Sequence, residues 1–339
     1  MIYRELGKSG IMVHPFAMGC WAFGGGSGSY WGEQSQKDVD AIVSGALDLG
    51  VNFFDTAEYY NTGESEVSLG LALGARRSEA VICTKVTPDN AYEGELIEHC
   101  EASLKRLGTD YIDLYLLHWP LNYHSMKCFT ADQRKLDNPP TIEEVTDALK
   151  QLKQQGKIRS YGVSNMGVTQ MEEALSTGAE IDVNQITYNI FSRAIEATVQ
   201  PFCLKHDISL ICTMTLQQGI LSGAFAGSEE IPQNLRESRH FSHAEKEMFE
   251  ALVQLREVAA DVGCTMSQLA IAWAIHRASV AAALTGSRTG EELKENFLAA
   301  SISLTDDAIA RIDAISQPVW DRLGDGPDYY MEGEACRVY

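Results

Sequence analysis

The chain has 339 residues, 45% of them hydrophobic and 22% charged, and its 27 Lys and Arg against 47 Asp and Glu leave a formal charge of −20. So acidic a balance argues against a nucleic-acid partner, which needs a basic face, and no apolar run approaches the roughly 18 residues of a membrane span. The opening Met1-Ile2-Tyr3-Arg4-Glu5 lacks a signal-peptide core, so the expected location is cytoplasmic, with no membrane partner.

In chain order, Tyr3–His14 with Gly7-Lys8-Ser9-Gly10 at its centre predicts a β-hairpin. Short apolar runs then alternate with amphipathic stretches. Strands are expected at Phe16–Gly19, Asn52–Asp55, Ala80–Lys85, Ile112–Leu117, Ser160–Val163, Val183–Gln185, Ser209–Cys212 and Ala281–Thr285. Between them, helices are expected at Gln36–Leu49 behind Ser35, Glu66–Ala75 behind Ser65, and Glu93–Leu107, with another opened by the capping box Thr141-Ile142-Glu143-Glu144. Further helices are expected at Thr169–Thr177, Glu196–His206, Ser267–Arg277 and Glu291–Ala300.

This alternation predicts an α/β fold, a parallel (β/α)8 TIM barrel, with the hairpin in front and a C-terminal extension behind. The whole of 1–339 reads as one domain, its barrel core about 16–302 and a C-terminal helix and tail at 303–339. Leu121–Asp137 and Gly219–Asp261 read as insertions, Thr305–Ser316 as a capped helix and Asp321–Tyr339 as a Gly/Asp-rich tail. A dinucleotide-binding Gly-rich turn is not offered by Gly24-Gly25-Gly26-Ser27-Gly28-Ser29, which lacks the last glycine and opens no helix. The eight cysteines form no C-x-x-C pair and read as reduced, mostly buried thiols, while His240 and His243 lack a third ligand, so no metal is expected.

In such barrels chemistry collects where the strands end on the C-terminal side. Asp55, Lys85 and His118 end three successive strands, one βα unit apart, and the loop after Asp55 returns Tyr60 toward them. Each residue alone has an ordinary structural role open to it. Together they suggest proton transfer at a carbonyl oxygen, with a lysine ammonium favouring the tyrosine phenolate and lowering its pKa from about 10. Aspartate would hold the ammonium and histidine would orient the oxygen.

The segment Asp55-Thr56-Ala57-Glu58-Tyr59-Tyr60-Asn61-Thr62-Gly63-Glu64-Ser65-Glu66, with Leu117-His118-Trp119-Pro120, Gly162-Val163-Ser164-Asn165 and Asn184-Gln185, resembles the aldo-keto reductases. The resemblance implies an NAD(P)H-dependent oxidoreductase acting on aldehydes or ketones, with Asp55, Tyr60, Lys85 and His118 catalytic and an NADP-type cofactor, NAD(H) being the other form. It places cofactor contacts at Gly19, Trp21, Asp55, Ser164, Asn165, Gln185, Thr213, Gly219, Leu221 and Gly223, and at Gly286, Ser287, Arg288, Glu295 and Asn296. Thr213 stands where relatives carry a stacking aromatic, and Glu292 where many carry Arg or Gln. Trp21, Trp31 and Trp119 join Tyr60 and His118 as pocket candidates. The donors Asn122, Tyr123, His124, Lys127, Arg134 and Lys135 suggest a polar, sugar-like carbonyl compound. The alternatives are a cofactor-binding regulatory subunit of the same fold and an aldolase using Lys85 as a Schiff base.

Overall fold

The computed structural model describes residues 3–225, 227–232, 235 and 238–339. A two-stranded antiparallel hairpin, β1 (Arg4–Glu5) and β2 (Met12–Val13), precedes eight strands. These are β3 (Phe16–Gly19), β4 (Phe53–Asp55), β5 (Val81–Val86), β6 (Ile112–Leu117), β7 (Ile158–Ser164), β8 (Val183–Thr187), β9 (Ser209–Thr213) and β10 (Val280–Thr285). They pair in parallel in that order, and β10 closes the barrel against β3.

Because strand side chains alternate between faces, each strand feeds two cores. Ala17, Phe53, Cys83, Leu114, Leu116, Val183 and Ile211 fill the barrel, while Phe16, Met18, Phe54, Ile82 and Tyr115 face the surrounding helices. The same period carries the inward face from Phe53 to Asp55, from Cys83 to Lys85, and from Leu114 and Leu116 to His118. Polar residues thus line the top of an apolar barrel without interrupting its core.

Leu6 and Val13 of the hairpin join the inner cluster and close the opposite end. Gly7 sits in the left-handed region at φ 55°, and a Cβ there would stand 2.3 Å from the Asp182 carbonyl oxygen, so only glycine lets the plug seat.

The helix starts follow their caps. Ser35 accepts from the Asp38 N–H, and Thr141 and Glu144 form the reciprocal capping box that opens Ile142–Gln154. Ser65 is not a cap. Its helix, Glu64–Leu73, starts after Gly63, and the Ser65 hydroxyl is buried, bonding to the Cys20 carbonyl at 2.7 Å and Thr56 Oγ1 at 2.8 Å. The helix expected from Glu196 begins at Val199, after a short 3-10 turn at Ala194–Glu196.

The region expected as an insertion from Gly219 is largely one helix, Arg239–Val262, with part of its approach outside the described residues. Leu121–Asp137 holds two short helices, Tyr123–Met126 and Gln133–Asp137. The helix expected to end at Ser316 runs as Asp306–Leu323, through Pro318, so the tail begins at Gly324 rather than Asp321. Five cysteines are buried, but Cys128 is exposed. Among the described residues no single helix is long and apolar enough to cross a membrane.

The tail is folded over the barrel mouth. Asp328 accepts from Arg337 through Nε at 2.8 Å and Nη2 at 2.6 Å, both side chains being buried, and the guanidinium lies 3.8 Å over the Trp119 ring. Burial pushes the Asp328 carboxyl up, but the bonds and charge of Arg337 more than offset this and hold it below the ordinary carboxylate value. Removing one partner of a buried pair leaves the other charge stranded, typically at about 3–5 kcal/mol. Arg337→Ala is therefore expected to release the tail, read as faster proteolysis after Gly324 and a red-shift of Trp119 emission. Wild-type protease resistance would mean that the tail is held by other contacts.

Candidate active site

Four sequence-predicted residues meet at this mouth. Lys85 Nζ, fully buried, lies 2.8 Å from Asp55 Oδ1, 2.7 Å from the Thr56 carbonyl oxygen and 3.3 Å from the Tyr60 hydroxyl. The His118 ring stands edge-on to Tyr60 at 5.6 Å between centroids. Tyr60 is half-buried and reaches the mouth because Asn61 and Thr62 turn the chain through the left-handed region, at φ 48° and 57°. Asn61 pays for that turn by donating to the carbonyls of Trp21 and Phe23, at 3.0 and 2.8 Å.

The electrostatics correct one expectation. Burial pushes the Tyr60 phenol up to about 12; Lys85 pulls it down and Asp55 adds to the push, so the lysine does not produce a net decrease. Burial opposes charge on Lys85 as well, yet Asp55 and Tyr60 together raise its value. The ammonium is therefore retained. A Schiff-base lysine needs a neutral amine, and this pairing argues against that alternative. Burial, with Lys85 nearby, holds His118 well below the ordinary imidazole value, so its ring is neutral, and Nδ1 has no hydrogen-bond partner among the described residues.

Around this group the strand ends are knitted together. Gln185 Nε2 donates to Asp55 Oδ1 at 2.7 Å, Ser164 Oγ donates to the Gln185 carbonyl at 2.9 Å, and Asn165, at φ 56°, donates to the His118 carbonyl at 3.1 Å. Gly19 and Gly286 are neighbours on β3 and just past β10, where a Cβ on Gly19 would stand 3.7 Å from the Gly286 nitrogen. After β9, the Thr213 hydroxyl meets the Thr187 hydroxyl at 3.4 Å and its carbonyl accepts from the Tyr188 N–H at 3.2 Å, and the chain then turns through Gly219 and Gly223, both at positive φ, around buried Leu221.

At the far end, Ser287 and Asn296 are buried and face each other at 3.4 Å, while Glu295 is exposed. The Arg288 guanidinium is spent on the carbonyls of Trp31 and Glu33, at 2.5 and 2.6 Å. Its backbone N–H donates to Glu292 Oε2 at 2.7 Å.

The substrate side is aromatic. Trp21 stacks on Tyr60 at 5.6 Å and on Tyr30 at 5.2 Å, with Trp31 edge-on to both Trp21 and Tyr30. Trp119 is buried beneath Arg337 and Tyr330 rather than open in the pocket. The loop expected to bring polar donors brings Phe129 instead, 6.2 Å from His118 and 5.0 Å from Tyr59. Three of its donors have partners away from the mouth: Asn122 with the Arg337 carbonyl, Lys135 with Glu95 and the Asp89 carbonyl, and the exposed Arg134 with Asp132. Sequence reasoning missed Tyr30 and Phe129, for which the only signal was an aromatic in a loop near a strand end; Tyr330 belongs to the tail aromatics whose sequence allows packing over the mouth, and it lies against Trp119 and Arg337.

The aldo/keto reductase family model matches residues 15–317. An NADH-specific methylglyoxal reductase of Escherichia coli (strain K12) is 31% identical over 322 residues, covering 89% of this chain and 94% of that one. A probable voltage-gated potassium channel subunit beta of Oryza sativa subsp. japonica is 28% identical, covering 94% and 97%. The crystal structure of an aldo-keto reductase from Klebsiella pneumoniae in complex with NADPH superposes with a TM-score of 0.73 at 26% identity, covering 98% of this chain and all of the other. The chain belongs to the aldo/keto reductase family.

Proposed function

We propose that the protein is an NAD(P)H-dependent carbonyl reductase that takes an aldehyde or ketone to the alcohol, or runs the reverse. The observation that carries this reading is the contact chain from Asp55 through Lys85 to the Tyr60 hydroxyl, ending at the mouth beside a neutral His118.

The mouth suits a nicotinamide cofactor. Gly19 and Gly286 leave a slot with no side chain between two strand ends, and Thr285 Oγ1 is buried without a hydrogen-bond partner among the described residues. Following the family resemblance, Ser164, Asn165 and Gln185 would hold the carboxamide. Trp21, Thr213, Gly219, Leu221 and Gly223 would line the middle, and Gly286, Ser287, Arg288, Glu295 and Asn296 the far end. When bound, the cofactor supplies or accepts the hydride. Tyr60 passes its phenolic proton to the carbonyl oxygen, Lys85 steadies the negative charge left on Tyr60, and Asp55 fixes the ammonium. His118, kept neutral by burial, orients the oxygen. The wall of Trp21, Tyr30, Trp31 and Phe129 supports a carbonyl compound with a flat or apolar portion. NAD(P)H fluorescence titration followed by a panel of aldehydes and ketones tests the reading; no turnover on any of them would sink it.

NADP(H) is the proposed form, with NAD(H) competing. Glu292 bears on that balance, because its carboxylate accepts the Arg288 N–H that a 2′-phosphate would otherwise take. Glu292→Gln is expected to raise the ratio of NADPH to NADH affinity several-fold, the scale of an exposed charge contact. Equal Kd ratios for variant and parent would remove Glu292 from that role.

The second reading, a cofactor-binding regulatory subunit, draws on the similarity to channel subunits over nearly the whole chain. Tight NADPH binding, no turnover and a stable partner in pulldown would favour it.

A further inference from the structure

Glu58 is a buried carboxylate that the proposed mechanism does not use. Its Oε1 accepts from the Thr87 N–H at 3.0 Å, the Thr87 hydroxyl at 3.2 Å and Asn90 Nδ2 at 3.1 Å, and its Oε2 meets His99 Nδ1 at 2.6 Å. Thr87 and Asn90 follow the end of β5, which carries Lys85, and His99 lies on the helix Glu93–Leu107. Glu58 itself lies between Asp55 and Tyr60, and its own N–H donates to the Lys85 carbonyl at 3.3 Å. The N–H and both carboxylate oxygens of this residue therefore bond the tyrosine loop to the lysine strand, the turn after it or the helix behind it.

We propose that Glu58 is a positioning residue, a staple that sets the separation of the Tyr60 hydroxyl from Lys85 Nζ. The alternative is a carboxylate that merely satisfies a few backbone groups. Two features distinguish a staple. The bonds converge from the end of β5, the turn after it and the helix behind on a segment only two residues from Tyr60; of the segment's other ties, Thr56 Oγ1 to Ser65 and Asn61 to the Trp21 and Phe23 carbonyls run away from the lysine strand, while Thr56 N–H to the Cys83 carbonyl and Lys85 Nζ to the Thr56 carbonyl run to it. The Tyr60–Lys85 contact, at 3.3 Å, is the loosest in the group, so a small slackening of the loop is felt there first.

His99 makes the staple sensitive to protonation. Its bond to Glu58 raises its pKa above the ordinary imidazole value, against burial and the positive Arg106, with Glu95 adding to the rise. Burial pushes the Glu58 carboxyl up, but His99, Thr87 and Asn90 more than offset it and leave it low. The charged pair is thus complete between the lowered value of Glu58 and the raised value of His99, and it loses its charge as pH rises through the latter. The other charges facing His99 are Arg106, Glu95 and Glu58 itself.

This inference rests on the reductase reading. Its test compares Glu58→Asp, which keeps the charge and shortens the reach, with Glu58→Gln, which keeps the reach and removes the charge. Glu58→Asp is expected to fold with unchanged NADPH Kd while kcat falls by about tenfold or more, as a misplaced reacting group does. The alkaline limb of the oxidation-direction pH profile should move upward, because a more distant Lys85 pulls less on the Tyr60 phenol. Glu58→Gln should recover most of kcat, while the His99 pKa, followed by NMR, drops toward its ordinary value. Wild-type kcat and an unmoved alkaline limb in Glu58→Asp would overturn the proposal. If neither Glu58 variant folds, Thr87→Val, which removes one anchoring hydroxyl, must show the same split at smaller size, and a wild-type split there overturns it equally. A parent that turns over no carbonyl would instead sink the reductase reading.

Discussion

Replacing Tyr60 with Phe is expected to lower turnover by about 10²–10⁴-fold, the usual worth of a positioned proton donor, while NADPH binding stays within about twofold of the parent. The substitution removes one oxygen from a half-buried ring and leaves the Trp21 stack intact. Lys85 keeps Asp55 and the Thr56 carbonyl as partners, so no charge is stranded and the fold should be unaffected. A pH profile sharpens the test. With the phenol pushed up to about 12, Tyr60 is protonated across the working range, so the reduction direction should show no alkaline loss from this group below that value. The oxidation direction needs the phenolate and should gain rate as pH rises toward it. Carbonyl reduction that persists at parental rate in Tyr60→Phe would remove Tyr60 from the chemistry and leave the aromatic mouth a binding surface.

The strand pattern was legible because burial follows a period of two, and each strand's inward face ends in its own polar residue. Phe53 with Asp55 and Cys83 with Lys85 show the rule: the spacing that makes the core also puts the functional groups at its rim. The tetrad's proximity could be read from strand ends, and the structure brings those four residues together. The direction of the Tyr60 shift could not, because it depends on how much water burial removes, and no spacing encodes that. Ser65 was misplaced for a related reason. A serine before a helical run normally caps it, but here tertiary partners, the Cys20 carbonyl and Thr56, claim the hydroxyl. The tail was least legible. Its contacts are distant in sequence: Asp328 with Arg337, Arg337 with Trp119 more than two hundred residues upstream, the Arg337 carbonyl with Asn122 and Gln170, and Arg239 with the carbonyls of Gly326 and Asp328.

The buried Asp55–Lys85 pair separates stability from catalysis. Each charge has been taken out of water, with 4% of the Asp55 side chain and none of the Lys85 side chain exposed, so either is tolerable only beside the other. Lys85→Met leaves the carboxylate with the neutral donors Gln185 and the Cys83 thiol, and Asp55→Asn leaves the ammonium with a carbonyl and a phenol. Each single substitution is expected to destabilise the fold by about 3–5 kcal/mol through the stranded charge. The double substitution removes both charges, keeps an amide to accept from Gln185, and puts an apolar chain of similar length among Cys83 and its neighbours. Its stability should return most of the way to the parent, with a large coupling in the double-mutant cycle from urea unfolding. Activity should not return. All three variants are expected to lose about 10²-fold or more in kcat, because Tyr60 lacks the fixed ammonium beside it in each. Additive losses of stability would show that the two charges are solvated independently. Recovery of turnover in the double variant would mean that Tyr60 needs no cation, and the assignment of Lys85 would fall while the fold argument stood.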